Sequence, residues 1–124
     1  MHVRPATIDD AEAIRAIYNP EVLESTVTFD LVPRSLAEQQ AWLAQRSGAH
    51  LVIVAVDDDD TVLGFASLSP YRDRPAYSTT VEDSVYVHRY HEGEGVGVLL
   101  LADLVDRALR HGFHAVMARI VGDH

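Results

Sequence analysis

The stretch that decides the fold runs from Thr79 to Gly97 and reads TTVEDSVYVHRYHEGEGVG. Its first half is rich in β-branched and aromatic residues, which predicts a strand that ends near Val87. Gly93, Gly95 and Gly97 follow, and an apolar pattern of helical period begins directly after them. This succession predicts an anion cradle, because glycine lets backbone N–H groups approach an oxyanion and a helix N-terminus adds positive potential.

Two familiar phosphate-binding patterns can be compared with this loop. The dinucleotide-binding fingerprint requires G-x-G-x-x-G, whereas the glycines here are spaced G-x-G-x-G and lie late in the chain. The P-loop requires a Gly-Lys-Ser/Thr ending, and the sequence contains no lysine. Neither pattern is present.

The loop instead resembles the acetyl-coenzyme A loop of the GCN5-related N-acetyltransferases (the GNAT family), whose signature is Arg/Gln-x-x-Gly-x-Gly/Ala at the opening of a helix. Gly95 and Gly97 occupy its two small positions. The segment Arg72–Tyr77, followed by Thr80–Val87, is similar to the phosphinothricin N-acetyltransferase branch of that family. Three further segments stand where that branch would place them: Asn19–Val22, Ser25–Phe29 and Trp42.

The resemblance implies an α/β fold of the GNAT type, in which helices flank a mixed, mostly antiparallel central sheet and residues 1–124 form a single domain. The family fold normally continues with a helix and two more strands, so the resemblance also implies that the C-terminal strands are missing. A last strand over Phe113–Val121 would then pair with the preceding strand only near one end. Its uncovered edge would favour pairing with another chain, which predicts a homo-oligomer such as a dimer.

Helix and strand signals along the chain agree with that architecture. A helix from about Asp9 to Tyr18 is expected to end at Asn19-Pro20, because proline disrupts a helix. Ser35 and Glu38 form the capping-box pattern that opens a second helix. The other predicted elements are a strand over His2–Arg4, a short helical stretch after residue 21, the end of the second helix at Arg46, a strand over Leu51–Val56, a turn over Asp57–Asp60, a strand over Thr61–Ser69 and a helix over Gly95–Arg110.

Composition argues against several classes of function. The formal net charge of −9 argues against nucleic acid or an anionic membrane surface as a partner. Without cysteine or lysine the chain has no disulfide, no thiolate nucleophile, no zinc–cysteine site and no lysine base. There is no apolar run of about 18 residues, and no signal peptide precedes the first strand, so a cytoplasmic protein is expected.

The resemblance implies an acyl-CoA-dependent N-acetyltransferase that moves an acetyl group from acetyl-CoA, its co-substrate, to the primary amine of a small amino acid or analogue of the phosphinothricin or methionine sulfone type. Glu82 stands at the branch's catalytic glutamate and would act as general base. From the sequence alone an exposed strand carboxylate is an equally good interpretation, and the surrounding motif favours the catalytic role. Backbone N–H groups near Val87 are the expected oxyanion donors. The expected cofactor-binding residues are Tyr86, Val87, Glu92, Gly93, Glu94, Gly95, Val96 and Gly97.

Phe29, Arg72, Arg74 and Tyr77 resemble the acceptor-binding set of the same branch. Arginine binds carboxylate, phosphinate or sulfone oxygens through two parallel hydrogen bonds, which suits an amino-acid analogue. For Arg72, a solvated loop arginine is an equally good interpretation. Trp42 is expected to be a core anchor rather than a substrate contact.

One departure from the family signature concerns the charge of the loop. Glu92 occupies the position that normally carries Arg or Gln, and Glu94 adds a second carboxylate. Carboxylates repel a pyrophosphate, although solvent and salt screen exposed charges and the backbone donors are unaffected. Weaker cofactor binding is therefore expected. A degenerate or truncated GNAT-like domain that acts as a non-catalytic binding module is the alternative function.

No metal is expected in this protein. The four aspartates at 57–60 lack the spacing and the terminal glutamate of an EF-hand loop. The pairs His88/His91 and His111/His114 each span a loop or a helix end rather than one helix face, which is more typical of surface histidines than of a zinc site. His88 could contact the cofactor instead.

Overall fold

The structure is a computed structural model that describes residues 1–24, 34–45, 51–70, 80–110, 112 and 115–121. Within those residues a single sheet has the strand order β1-β2-β3-β4-β5. The strands are β1 His2–Pro5, β2 Val52–Val56, β3 Val62–Pro70, β4 Thr80–Val87 and β5 Ala115–Val121. The helices are α1 Ala11–Glu24, α2 Leu36–Ala44 and α3 Val96–Arg110, with short 3₁₀ turns at Ile8–Asp10 and Arg89–His91.

The sheet is mixed and mostly antiparallel, which confirms the predicted fold class. Strands β1 to β4 pair antiparallel with their neighbours, and β5 runs parallel to β4. The expectation that the last strand pairs only near one end is wrong, because its register with β4 is continuous from Thr80↔Ala115 to Tyr86↔Val121. Helix α3 forms the crossover that a parallel pair requires, and it returns the chain to the start of β4.

Successive side chains of a strand point to opposite faces of the sheet, so the sheet has two cores. The core under α3, here called the aliphatic face, includes Leu100 and Leu104, both fully buried. The core under α1 and α2, here called the aromatic face, includes Tyr18, Phe65 and Tyr86. The burial of Leu100 and Leu104 confirms that the helical pattern after the glycine loop is a core stripe. Leu109 is 57% exposed although its neighbour Ala108 is fully buried, because each residue turns the helix by about 100° and so carries Leu109 off the buried stripe.

The turn between β2 and β3 is confirmed, and an aspartate side chain holds it. The Asp57 carboxylate accepts hydrogen bonds from the N–H groups of Asp59 and Thr61, both at 2.9 Å. Just beyond the turn the register shifts by one residue, since Ala55 pairs with Gly64 while Val56 pairs with Val62. A single extra residue of this kind is a β-bulge.

Gly64 is required by close packing rather than by its backbone conformation. A Cβ atom at this position would lie 2.8 Å from the carbonyl oxygen of Tyr86 and 2.9 Å from Cγ1 of Val96. Both distances are shorter than normal van der Waals contact. The glycine therefore lets the start of α3 lie directly on the sheet.

The prediction that Pro20 ends the first helix is wrong. Helix α1 continues through Pro20 to Glu24, so the short helical stretch predicted after residue 21 is the last turn of α1. A proline inside a helix removes one backbone hydrogen bond. The packing of Ile14 and Tyr18 in the aromatic face outweighs that loss, because most helical stability in proteins comes from tertiary contacts. The predicted β-rich loop at 25–29 lies outside the described residues.

The start of α2 near Ser35 and the end of α3 near Gly112 both have the hydrogen bonds that are typical of helix ends. The Ser35 hydroxyl accepts the Glu38 N–H at 3.1 Å, and the Glu38 carboxylate accepts the Ser35 N–H at 3.1 Å, which confirms the capping box. At the end of α3, Gly112 has a φ of 86°, and its N–H donates to the Leu109 carbonyl at 3.1 Å. That left-handed conformation suits glycine and ends the helix.

Candidate active site

The candidate site lies where β4 ends and α3 begins. Val87, the last residue of β4, directly follows Tyr86, which pairs with Val121, the last described residue of β5. The N–H of His88 donates to the Leu63 carbonyl of β3 at 2.8 Å. Because backbone groups alternate in direction along a strand, the N–H of Val87 faces the opposite side, toward β5. The Val87 amide thus lies next to the last described β4–β5 pair, on the side of β5.

Tyr86 and Val87 were both predicted to bind the cofactor, and the structure buries both side chains. The Tyr86 ring stacks on Phe65, with centroids 5.0 Å apart and planes 8° apart, and makes an edge contact with Tyr18 at 5.6 Å. Val87 is fully buried in the aliphatic face. Any contact with a ligand from these two positions therefore involves mainly the backbone.

The glycine loop has the backbone arrangement that an anion cradle needs. Gly93 and Gly95 have φ values of 79° and 85°, a backbone conformation that residues other than glycine rarely adopt. The Gly95 carbonyl accepts the Leu99 N–H at 3.0 Å, so Gly95 is the residue from which α3 starts. The first N–H groups of a helix have no partner within it. The amides of Val96 and Gly97 therefore belong to the first turn of a 15-residue helix.

The side chains of the loop are acidic, as the sequence suggested. Glu92 and Glu94 are both exposed. The Glu94 carboxylate lies 3.1 Å from Nδ1 of His91, which partly compensates its charge when that histidine is protonated. The backbone of the loop thus suits a phosphate, while its two carboxylates oppose one.

His88 is held in a single neutral tautomer beside this loop. Its Nδ1 accepts the N–H of Tyr90 at 3.2 Å, which places the proton of the neutral ring on Nε2. Burial lowers the pKa of His88, and the positive charges of His91 and Arg89 lower it further. The ring lines a cavity of about 190 Å³ between this segment and α1. His88 directly follows Val87 in the sequence.

Glu82 lies in the middle of β4, with its backbone in register with Ser69 of β3 and Met117 of β5. It is four residues before Tyr86, an even spacing that puts the two positions on the same face of the strand. Asp83 and Val85 occupy the alternating positions of β4, which belong to the opposite face of the strand. The role of Glu82 as general base stays a prediction.

The predicted acceptor-binding residues Phe29, Arg72, Arg74 and Tyr77 lie outside the described residues. Trp42 packs against the aromatic face, with its ring at an edge contact of 6.4 Å from Phe65, as expected for a core anchor.

Sequence reasoning assigned no role to Arg34 or Gln39. The guanidinium carbon of Arg34 lies 3.9 Å from the centroid of the Tyr18 ring and 4.7 Å from that of Trp42. Its Nη1 donates to Oε1 of Gln39 at 3.2 Å. Neither residue belongs to a recognisable motif, so only their contacts identify them.

The described part of the chain contains neither a metal-ligand cluster nor a membrane-spanning helix. There, no three histidine, cysteine, aspartate or glutamate side chains are grouped closely enough to hold a metal ion. In the same residues, no helix combines the length and the apolar character that crossing a bilayer requires.

The chain is similar over most of its length to known acetyltransferases. Residues 12–124 match the family described as the Acetyltransferase (GNAT) family. The phosphinothricin N-acetyltransferase of Streptomyces coelicolor is 37% identical over 123 residues, which cover 97% of this chain and 72% of that protein. The L-methionine sulfoximine/L-methionine sulfone acetyltransferase of Pseudomonas paraeruginosa is 39% identical over 119 residues, covering 95% of this chain and 69% of that protein.

A solved structure has the same fold. The GNAT superfamily phosphinothricin acetyltransferase from Sinorhizobium meliloti, in complex with acetyl-CoA, superposes with a TM-score of 0.84 and 35% sequence identity. The match covers 94% of this chain and 63% of that one.

Proposed function

The chain belongs to the GNAT family of acetyltransferases, and from that premise we propose that it transfers the acetyl group of acetyl-CoA to the primary amine of a small amino acid or amino-acid analogue. The relatives named above act on phosphinothricin, methionine sulfoximine and methionine sulfone, which supports an acceptor of that class. The observation that carries the proposal is the end of β4, where the Val87 amide, two left-handed glycines and the first turn of α3 lie in succession.

The donor is proposed to bind along this succession. The first-turn amides of α3 would donate hydrogen bonds to its phosphate oxygens, supported by the helix dipole. The acetyl carbonyl would lie at Val87, whose N–H faces the side of β5. Removal of one such oxyanion donor typically costs about 3–4 kcal/mol of transition-state stabilisation. Glu92 and Glu94 would weaken the affinity without blocking these backbone contacts.

Glu82 is proposed as the general base. An amino acid enters as an ammonium ion at neutral pH, and its nitrogen becomes a nucleophile only after losing a proton. A carboxylate at Glu82, directly or through a water molecule, would accept that proton before the nitrogen attacks the acetyl carbonyl. The C–N bond would then form as the C–S bond breaks, and the CoA thiolate would leave and take up a proton to give the free thiol. Its position on β4 supports the assignment, because it shares a face with Tyr86, and α1 and α2 cover that face.

The proposed acceptor contacts are Phe29, Arg72, Arg74 and Tyr77. Arginines at 72 and 74 would hold the oxygens of a carboxylate, phosphinate or sulfone in a forked geometry. The resemblance of this segment to the phosphinothricin acetyltransferase branch supports the assignment.

A thiol-release assay tests the proposed function. The chain is incubated with acetyl-CoA and a panel of L-methionine sulfone, L-phosphinothricin and unmodified amino acids, and free CoA thiol is followed over time. Turnover above the rate without acceptor is expected for at least one amino acid of the panel. Acetyl-CoA binding without turnover for any acceptor would contradict the proposal and favour the non-catalytic module.

We also propose that the chain forms a homodimer. Among the described strands, β5 has a neighbour on one side only, and an unpaired strand edge favours pairing with another chain. Light scattering over a range of concentrations tests this, and a mass that stays monomeric throughout would contradict it.

A further inference from the structure

Arg34 is fixed between the first two helices by its backbone as well as by its side chain. Its N–H donates to Oδ1 of Asn19 at 2.9 Å, and its carbonyl accepts from Nδ2 of the same asparagine at 3.0 Å. The Arg15 Nε donates to that carbonyl at 2.8 Å. The guanidinium itself is placed between the rings of Tyr18 and Trp42. The long side chain of Arg34 is therefore held in one conformation before a ligand binds. Binding then costs less rotamer freedom than it would for a mobile arginine.

In the part of the chain that the structure describes, no Asp or Glu forms an ion pair with Arg34. The charge of Arg34 contributes to the lowered pKa of Glu38, but hydrogen bonds from Ser35 are the main cause and the charge of Arg34 is the smallest contribution. Arg34 is only partly buried, so part of this residue remains exposed to solvent.

Gln39 adds a buried amide at the same place. Its side chain is fully buried, its Oε1 accepts from Arg34, and its Nε2 has no hydrogen-bond partner. Leaving a buried donor unpaired typically costs about 1–3 kcal/mol, so such groups in folded proteins call for an explanation. A guanidinium that has no carboxylate partner in the described part of the chain matches a ligand that offers acceptor oxygens and a negative charge, and the enclosed amide of Gln39 holds that guanidinium in place.

The position of this pair connects it to the candidate active site. Tyr18, which carries the guanidinium of Arg34 on its face, makes an edge contact with the Tyr86 ring of β4. Tyr86 is adjacent to Val87 in sequence and shares its face of the strand with Glu82. The cation therefore lies on the same side of the sheet as the proposed base.

We propose that Arg34, held in place by Gln39, binds the carboxylate of the acceptor amino acid and so selects amino acids over simple amines. This inference rests on the proposed function. Arg34 is the specificity-determining residue in this proposal, and Gln39 is a positioning residue whose Oε1 accepts a hydrogen bond from the guanidinium.

The test compares two acceptors that differ only in the carboxylate: L-methionine sulfone and 3-(methylsulfonyl)propan-1-amine. Arg34→Met removes the charge and keeps much of the length of the side chain. Gln39→Glu keeps the shape of the amide and supplies Arg34 with an internal carboxylate, which should compete with that of the substrate. Gln40→Glu makes the same charge change at the exposed neighbouring position and serves as the matched control.

Arg34→Met and Gln39→Glu should each raise KM for L-methionine sulfone by about 10- to 100-fold, the range for a lost charge-assisted hydrogen bond. KM for the amine should change less than about threefold, and Gln40→Glu should resemble the wild type. Equal losses for both acceptors would show that Arg34 only fastens α1 to α2, and unchanged KM values would show that it does not bind substrate. Either result overturns the inference.

A binding measurement separates this inference from the proposed function. Calorimetric titration of each ligand into the wild type and the Gln39→Glu variant needs no turnover. If the wild type acetylates no amine but binds L-methionine sulfone at least tenfold more tightly than the amine, and Gln39→Glu abolishes that preference, the proposed function fails and the carboxylate site stands. If the wild type shows no such preference, the carboxylate site is wrong whatever the catalytic result.

Discussion

The two faces of the sheet are built from different kinds of residue. The apolar core of the aliphatic face, under helix α3, consists of branched or small side chains and contains no aromatic ring among the described residues. The aromatic face combines Tyr18, Phe65 and Tyr86 with the fully buried amide of Gln39. Polar groups cost free energy to bury, so a face that retains them does so either because they are paired or because they serve a ligand.

We infer that the aliphatic face mainly provides stability and that the aromatic face provides the groups for ligand recognition. Non-directional aliphatic packing is well suited to hold α3, and therefore the glycine loop, firmly on the sheet. Aromatic and amide groups have directional preferences, and they fix cations such as Arg34 at defined positions. We expect changes on the aliphatic face to lower stability with little effect on chemistry, and changes on the aromatic face to do the reverse.

The largest expected effect is on stability, from a cavity in the aliphatic face. Leu104 is fully buried, so Leu104→Ala should lower the free energy of unfolding by about 2–5 kcal/mol. Activity per folded molecule should stay near the wild-type value. Val98→Ala, on the exposed side of the same helix, should cost little. Urea denaturation measures both, and comparable losses for the two variants would contradict the assigned core.

The next effect is on catalysis, from the face that carries Tyr86. Glu82→Gln should lower kcat by about 10²-fold or more, the usual scale for a lost general base, while acetyl-CoA affinity barely changes. Asp83→Asn, at the alternate position of β4, should have near-normal kcat. Steady-state kinetics of both variants measure this, and wild-type turnover in Glu82→Gln would refute the assignment of the base.

A smaller effect is expected at the glycine loop between β4 and α3, where Glu92 and Glu94 lie. Replacing both Glu92 and Glu94 with Arg should tighten acetyl-CoA binding by about 1–3 kcal/mol, because two repulsive charges become charge-assisted donors. Replacing both with Gln removes the repulsion alone and should give an intermediate affinity. Calorimetric titrations at two salt concentrations measure the series. An affinity that is the same in all three proteins would remove the electrostatic argument.

The smallest expected effect is a pH dependence of stability at His88. A histidine whose pKa is lowered by folding stabilises the folded protein fully above its unfolded pKa of about 6.5. That stabilisation is lost as the pH falls from there through the lowered folded pKa. His88→Gln retains an acceptor for the Tyr90 N–H but cannot titrate, so its Tm should fall less than that of the wild type below pH 6.5, by a few degrees at most. Parallel Tm curves of the two proteins would contradict this.

Local signals in the sequence predicted elements whose cause is local. The Ser35–Glu38 capping box, the Asp57 turn and the glycine that ends α3 each depend on contacts within a few residues, and each is found as expected. Pro20 shows the limit of this reasoning. Its local preference is to end a helix, but the packing of α1 on the sheet carries the helix past it.

The candidate site divides in the same way. The glycine spacing pointed to the cradle because φ > 0 is a property of single residues. Arg34 and Gln39 gave no such signal. Among the described residues Arg34 has no carboxylate partner and Nε2 of Gln39 has no hydrogen bond, and neither property can be read from a linear sequence.

The sequence by itself determined the family resemblance, the alternation of helices and strands, and the strand–glycine loop–helix unit, because these follow from short-range preferences and residue spacing. Only the tertiary structure decided that β5 pairs with β4 along its length, that Gly64 lets Val96 of α3 lie on the sheet, and that Arg34 stacks between the rings of Tyr18 and Trp42. Each of these depends on residues far apart in the chain, whose distances are set only when the two faces of the sheet are packed together.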